Sequence, residues 1–282
     1  MRVDKFGLSL LIALVCSLGG ISAAHADTQW RSLNPDNTLL LELATGSVVI
    51  ELNPRFAPKH VEQVKALASK GFYNNVDFYR VIDGFVAQGG IGESEYPANS
   101  LKLEAEIAIA KTDKFVFIDG NDPFAAQTGF INDFASALDT KNNTAWLLHC
   151  PGIVAMARNN SADSASTEFY ITIGQAPRYL DKIMTIFGRV VYGMEHVQKL
   201  NRSQGIEGED VSKRVNSKII SMTVMSKVKP AQQIHLQVED TSSTEFQQSI
   251  KARRERQHEF FFKKPPQVLD ICQFPLKTRI KE

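Results

Sequence analysis

The stretch Phe78-Tyr79-Arg80-Val81-Ile82-Asp83-Gly84-Phe85-Val86-Ala87-Gln88-Gly89-Gly90 reads as two short strands, over 77–82 and 85–88, folded about Asp83-Gly84. Asp-Gly is a strong local signal for a tight hairpin. Strand alternation predicts Phe78, Arg80 and Ile82 on one face, with the hairpin bringing Phe85 and Gln88 near Arg80. An arginine with a phenylalanine and a glutamine as neighbours makes an apolar slot with a fixed cation at its rim. The plainer alternative is an ordinary hairpin whose arginine makes a surface salt bridge.

Outward from this hairpin the pattern stays β-rich. Upstream, runs at 38–43 and 47–52 flank Ala44-Thr45-Gly46, a second hairpin signal. Pro58 suits the first turn of a helix that carries Val61, Val64, Leu67 and Ala68 at helical spacing and ends at Gly71. Downstream, strand-like runs fall at 153–157, 168–173, 185–191 and 219–225, with a helix over 194–200 after Gly193. Many short strands and two clear helices predict an antiparallel barrel or sandwich. No internal repeat is visible.

Two segments stand apart. Residues 90–150 read as a long irregular stretch, a length that is usually functional or carries small elements of its own. Beyond Lys229-Pro230 the composition shifts, and 244–262 reads as a charge-rich helix with Phe246 and Ile250 near one end, stopped by Lys264-Pro265-Pro266. That helix is expected to pack on the barrel, its charges forming a solvated face.

The opening run closely resembles the cyclophilin signature, and the resemblance continues in register. Gly152-Ile153-Val154-Ala155-Met156-Ala157, Thr167-Glu168-Phe169-Tyr170-Ile171, Tyr179-Leu180-Asp181 and Phe187-Gly188-Arg189-Val190 are similar to the family's later motifs, in order and at the same spacing. The match runs over residues 37–228, with 90–150 enlarged and 229–282 outside it as a C-terminal helical extension. It implies a mainly β fold, an eight-stranded antiparallel barrel capped by two helices, with a groove on its outer face.

The resemblance also implies peptidyl-prolyl cis-trans isomerase activity on proline-containing polypeptides, with no cofactor and no metal. Arg80 would be the catalytic cation, Phe85 the floor of the proline pocket and Gln88 the residue that orients Arg80. Val86, Tyr170 and Leu180 would complete the pocket, Tyr79, Tyr179 and Met184 would border it, and the Ala157–Arg158 backbone would pair with bound peptide. Several positions depart from the family's usual residues: Glu168 for glutamine, Val86 for methionine, Arg158 for asparagine, Tyr179 for tryptophan and Met184 for histidine. Glu168 is expected within reach of Arg80, where an ionised carboxylate would pair with the guanidinium and neutralise much of its field. On that ground a second reading stands beside the enzyme: a cyclophilin-shaped binding or scaffold protein with little catalysis.

The N-terminus reads as a cleavable signal peptide over 1–26. Arg2 and Lys5 precede an apolar run, and Ala24-His25-Ala26 offers a small-x-small cleavage site. The run is short for a membrane span and is broken by Gly19-Gly20, while Val15 is too bulky for lipid attachment at Cys16. Without that segment 30 basic and 30 acidic side chains remain of the chain's 32 and 31. A neutral protein of this kind has no electrostatic footprint for nucleic acid or an anionic membrane. Export, with the periplasm as the expected compartment, leaves Cys150 and Cys272 as an even pair in an oxidising setting, either bonded to each other or as separate buried thiols. The histidines at 60, 149, 196, 235 and 258 stand singly, with no metal-binding spacing.

Overall fold

The computed structural model describes residues 29–91, 99–204 and 216–281 of the 282-residue chain, so the expected signal segment lies outside the described residues. In chain order, β1 (Trp30–Ser32) precedes the hairpin of β2 (Thr38–Leu43) and β3 (Gly46–Leu52). Helix α1 (Pro58–Ser69) follows, then β4 (Arg80–Val81) and β5 (Val86–Gly89). Residues 90–150, expected to be irregular, instead carry five strands: β6 (Ile107–Ala108), β7 (Phe115–Asp119), β8 (Gln127–Ile131), β9 (Phe134–Asp139) and β10 (Thr144–Leu147). The chain then gives β11 (Ile153–Met156), β12 (Phe169–Thr172), β13 (Ile186–Tyr192), the short α2 (Met194–Val197) and β14 (Ile219–Val224).

Eight of these strands form one antiparallel sheet in the order β14-β2-β3-β13-β11-β12-β5-β4. Its two edges meet through backbone bonds ahead of β4: Phe78 N–H donates to the Ser217 carbonyl and Ile219 N–H to that of Val76, both at 2.7 Å, beside an Asp77–Lys218 bridge. The curled sheet encloses Leu39, Leu41, Val48, Ile50, Phe78, Val81, Val154, Phe169 and Ile171. Val61, Val64, Leu67 and Ala68 of α1 and Val197 of α2 join the same cluster, so both helices pack against the enclosed core. Alternation is what sorts the strands, one set of side chains turning inward and the next outward.

The extension is less helical than expected. β15 (Leu236–Glu239) and β16 (Thr278–Ile280) flank a single helix, α3 (Thr244–Glu255), and β1, β15 and β16 make a separate three-stranded sheet with β15 in the middle. Nor does α3 pack chiefly on the barrel. Its buried Phe246 meets Phe130 of β8 edge-on at 5.5 Å and Phe274 at 5.1 Å, covering the five-stranded sheet of the insertion. That sheet cannot bury an apolar face by itself, and the helix supplies the missing layer.

Two buried aspartates fix the arrangement. Asn132 and Asp133 form the tight β8–β9 turn with φ of 49° and 66°, the signature of a primed hairpin turn. Asp133 accepts from the Thr241 N–H at 2.8 Å and its hydroxyl at 2.7 Å, and pairs with Arg31. Asp119, at the end of β7, accepts from the Leu269 N–H at 2.9 Å and from Arg254 at 3.1 Å. Cys150 and Cys272 are joined by a disulfide, with Cα atoms 4.9 Å apart across a sequence separation of 122. Among the described residues no helix is long and apolar enough to cross a membrane.

Candidate active site

Register assembles the site. Arg80 is paired with Gln88, Gln88 with Tyr170, Tyr170 with Ala155 and Ala155 with Ile186, a single row across five neighbouring strands on the outer face of the barrel. Val86, Ala157, Tyr170, Ala155 and Ile186 form one buried apolar cluster there, with Phe85 and Met184 packed against its rim. Gly84, at φ 69°, turns the hairpin that brings Phe85 round, while the Cβ atom of any other residue at Gly90 would lie 2.8 Å from the Glu168 backbone. The glycine at 90 thus lets the Gln88 strand run close against Glu168.

The expected alternation fails at one point. Phe78 is enclosed in the core with Val81 and does not share a face with Arg80. Regular pairing of β4 begins only at Arg80, so Tyr79 and Arg80 both turn toward Gln88. Arg80 Nη1 donates to Gln88 Oε1 at 3.1 Å, and Gln88 Nε2 donates to the Tyr79 hydroxyl. The Tyr79 hydroxyl in turn donates to Glu168 Oε1 at 2.6 Å. Burial, reinforced by the Glu168 carboxylate, pushes the Tyr79 phenol well above its ordinary range, so it stays protonated.

This corrects the expectation that Glu168 pairs directly with Arg80. The ion pairs among the described residues do not include one between them; the carboxylate is engaged by Tyr79. The Glu168 backbone is equally fixed, its carbonyl accepting the Ala157 N–H at 2.9 Å. That bond engages the Ala157 N–H within the sheet, so a peptide pairing with the Ala157–Arg158 backbone must use its other groups. The Arg158 side chain reaches across to the Ile183 carbonyl at 3.0 Å.

Tyr179 and Leu180 sit on a 3-10 turn, Arg178–Leu180, with Tyr179 65% exposed and Leu180 half-buried. A network that the isolated histidines of the sequence did not signal holds this turn in place. Buried His149 meets Asp181 Oδ1 through Nδ1 at 2.9 Å and the Tyr170 hydroxyl through Nε2 at 2.9 Å. Arg178, also buried, bonds Asp181 at 2.5 Å and Asp122 of the insertion at 2.8 Å. Asp122 carries no local sequence signal; its partner is 56 positions away.

The comparisons with known proteins agree with this geometry. The family model for cyclophilin type peptidyl-prolyl cis-trans isomerase/CLD matches residues 38–224. This chain belongs to the cyclophilin family. A probable peptidyl-prolyl cis-trans isomerase of Brucella suis is 33% identical over 231 residues, 81% of this cyclophilin and 100% of the relative. A peptidyl-prolyl cis-trans isomerase of Dictyostelium discoideum is 31% identical over 176 residues, 60% of this chain and 87% of its own. The crystal structure of a cyclophilin from Hirschia baltica aligns at 25% identity with a TM-score of 0.72, covering 90% of this chain and 94% of that one. This cyclophilin is therefore an isomerase, mainly β, with the curled antiparallel sheet of its relatives. The Hirschia likeness covers more of the chain than the 38–224 family match.

Proposed function

We propose that this cyclophilin isomerises X-Pro bonds in exported polypeptides and assists their folding, with Arg80, Phe85 and Gln88 as its catalytic group. The observation that carries the reading is the placement of Arg80, held by Gln88 at 3.1 Å, beside the apolar cluster of Phe85, Val86 and Tyr170. Rotation about a peptide bond is slow because resonance gives it double-bond character, with a barrier of about 18–20 kcal/mol. Uncatalysed X-Pro exchange takes on the order of tens to hundreds of seconds. Millisecond turnover therefore needs roughly 6–7 kcal/mol of differential stabilisation.

No nucleophile is needed. A guanidinium directed at the prolyl nitrogen favours the twisted state, in which that lone pair has left the amide resonance. Phe85, Val86 and Tyr170 grip the ring, with Leu180 and Tyr179 at the border, while the preceding carbonyl turns. The effect is electrostatic and preorganised, and strongest where the apolar cluster excludes water. The leader-like residues 1–26 and the cysteine pair support a periplasmic setting.

A protease-coupled assay on a proline tetrapeptide tests the chemistry. Arg80→Ala is expected to lower kcat/KM at least about a hundredfold, roughly 2.7 kcal/mol. A fully active Arg80→Ala enzyme would remove Arg80 from the mechanism. Fractionation of cells making the full chain tests the compartment, with a mature N-terminus near Asp27 expected in the periplasmic fraction.

A further inference from the structure

The hydrogen bonds around Arg80 form a line with two unlike ends. Arg80 Nη1 donates to Gln88 Oε1, Gln88 Nε2 donates to the Tyr79 hydroxyl, and that hydroxyl donates to Glu168 Oε1. The first member is a guanidinium, which can only donate; the last is a carboxylate, which when ionised can only accept. Between them stand an amide and a hydroxyl, each able to donate and accept. With both ends fixed, the direction of every bond between them is fixed as well.

We propose that Glu168 and Tyr79 are positioning residues for the isomerase reaction: through the Gln88 amide they keep its carbonyl, and not its NH2, facing the Arg80 guanidinium. The inference rests on the proposed role of Arg80. A neutral amide at 168 has no such polarity. It presents either a carbonyl or an NH2 to Tyr79, and in the second case the hydroxyl reverses and donates to Gln88. The Gln88 amide then turns over and sets an NH2 against a guanidinium that has nothing to accept with, so the Gln88–Arg80 bond is lost. A direct carboxylate–guanidinium pair would also hold Arg80, but at contact distance it would cancel much of the field the reaction uses. Two neutral side chains between the charges orient the cation and leave its charge facing the substrate.

The local backbone is built for this. Tyr79 reaches Gln88 and Glu168 because regular pairing of β4 starts one residue later, at Arg80. The backbone that carries Glu168 is fixed: its carbonyl binds the Ala157 N–H at 2.9 Å, and the preceding Thr167 carbonyl accepts the buried Tyr73 hydroxyl at 3.1 Å. Gly90 allows the close approach that keeps the line short.

The test is a double-mutant cycle on one proline tetrapeptide, using Glu168→Gln, Tyr79→Phe and the double variant. Both substitutions nearly preserve shape, and thermal melts establish that each variant folds. Each single change is expected to lower kcat by about three- to tenfold, the worth of one hydrogen bond, with KM altered by less than about twofold. The double variant should fall no further than the worse single one, because both break the same line. The Gln88 side-chain NH2 resonances should shift in both single variants. Wild-type kcat in either single variant, effects confined to KM, or full additivity overturns the proposal. Arg80→Ala is the control that separates it from the broader reading: if Arg80→Ala is inactive while Glu168→Gln and Tyr79→Phe match wild type, the relay alone is wrong.

Discussion

The imidazole of His149, fully buried, stands between the Tyr170 hydroxyl and Asp181, 2.9 Å from each. With the phenol donating to Nε2, Nδ1–H donates to the Asp181 carboxylate. Burial, aided by nearby Asp181, raises the Tyr170 phenol far above its usual range and keeps that proton in place. The hydroxyl is thereby committed to His149. His149→Leu takes one partner from Asp181, which keeps Arg178, and leaves the buried Tyr170 hydroxyl unpaired. That should cost about 1–3 kcal/mol in urea unfolding. KM for a proline peptide should rise as the Tyr179–Leu180 turn loosens; an unchanged midpoint would show that the network holds nothing.

The disulfide next door lends itself to a separate measurement. Cys150 follows His149 directly and ties Cys272 of the extension to the barrel, closing a loop with a sequence separation of 122. In the chain-entropy model such a crosslink stabilises by about 4–5 kcal/mol. Cys272→Ser, or reduction of the wild type, should lower the denaturation midpoint accordingly. Identical midpoints with and without reductant, or two alkylatable thiols in the oxidised protein, would count against the bond.

Acid should loosen the extension first. Burial disfavours the ionised form of Asp133, yet hydrogen bonds from Arg31 and Thr241 outweigh it and hold this carboxyl below its ordinary value. Asp119 is held low in the same way, burial being overcome by the Leu269 N–H, Asn121 and Arg254. The unfolded chain therefore binds more protons than the folded one in this range. The stabilisation is fully present above the unfolded carboxyl value of about 3.9 and is lost as pH falls through the lower folded values. Asp119→Asn and Asp133→Asn should lower stability at neutral pH and flatten its decline below about pH 4. Protection of the 236–280 amides against hydrogen exchange reports this directly, and a parent-like acid slope in both variants would refute it.

Phe246 offers a test of how the extension is seated. The ring is fully buried between Phe130 and Phe274, in a cluster shared by the insertion, the extension and the outer face of the barrel and separate from the barrel interior. Phe246→Ala should destabilise by about 3–5 kcal/mol. The loss should appear as increased proteolysis around α3, with the barrel core still protected. Uniform exposure of the barrel in this variant would mean that the two parts unfold together.

The barrel was legible because its signals are local: Asp83-Gly84 between alternating runs, Pro58 opening a helix, and linked motifs at fixed spacing. The insertion was not. Phe134–Asp139 has only the small Ala-Ser-Ala at its centre, and β6 is two residues long, so neither stands out without its neighbours. The three-stranded sheet is harder still, since Trp30 pairs with Glu239 and Leu236 with Ile280, contacts that no local window contains. At the site, the residues could be named but not all their partners. The family resemblance paired Glu168 with Arg80, and period-2 reasoning grouped Phe78 with Arg80. The latter assumed a regular strand through Tyr79, where regular pairing has not yet begun.

The placement of β15 between β1 and β16 also sets a timetable. The ribosome delivers the chain from its N-terminus, so Trp30–Ser32 and the whole barrel emerge long before Thr278–Ile280. Until Cys272 and Thr278–Ile280 have followed, Cys150 lacks its partner sulfur and Leu236–Glu239 has one open edge. A chain lacking residues 272–280 thus displays two chemically distinct groups, a bare strand edge and a free thiol, that the folded structure hides. Bonding to Cys272 removes the thiol, and docking of Thr278–Ile280 covers the edge.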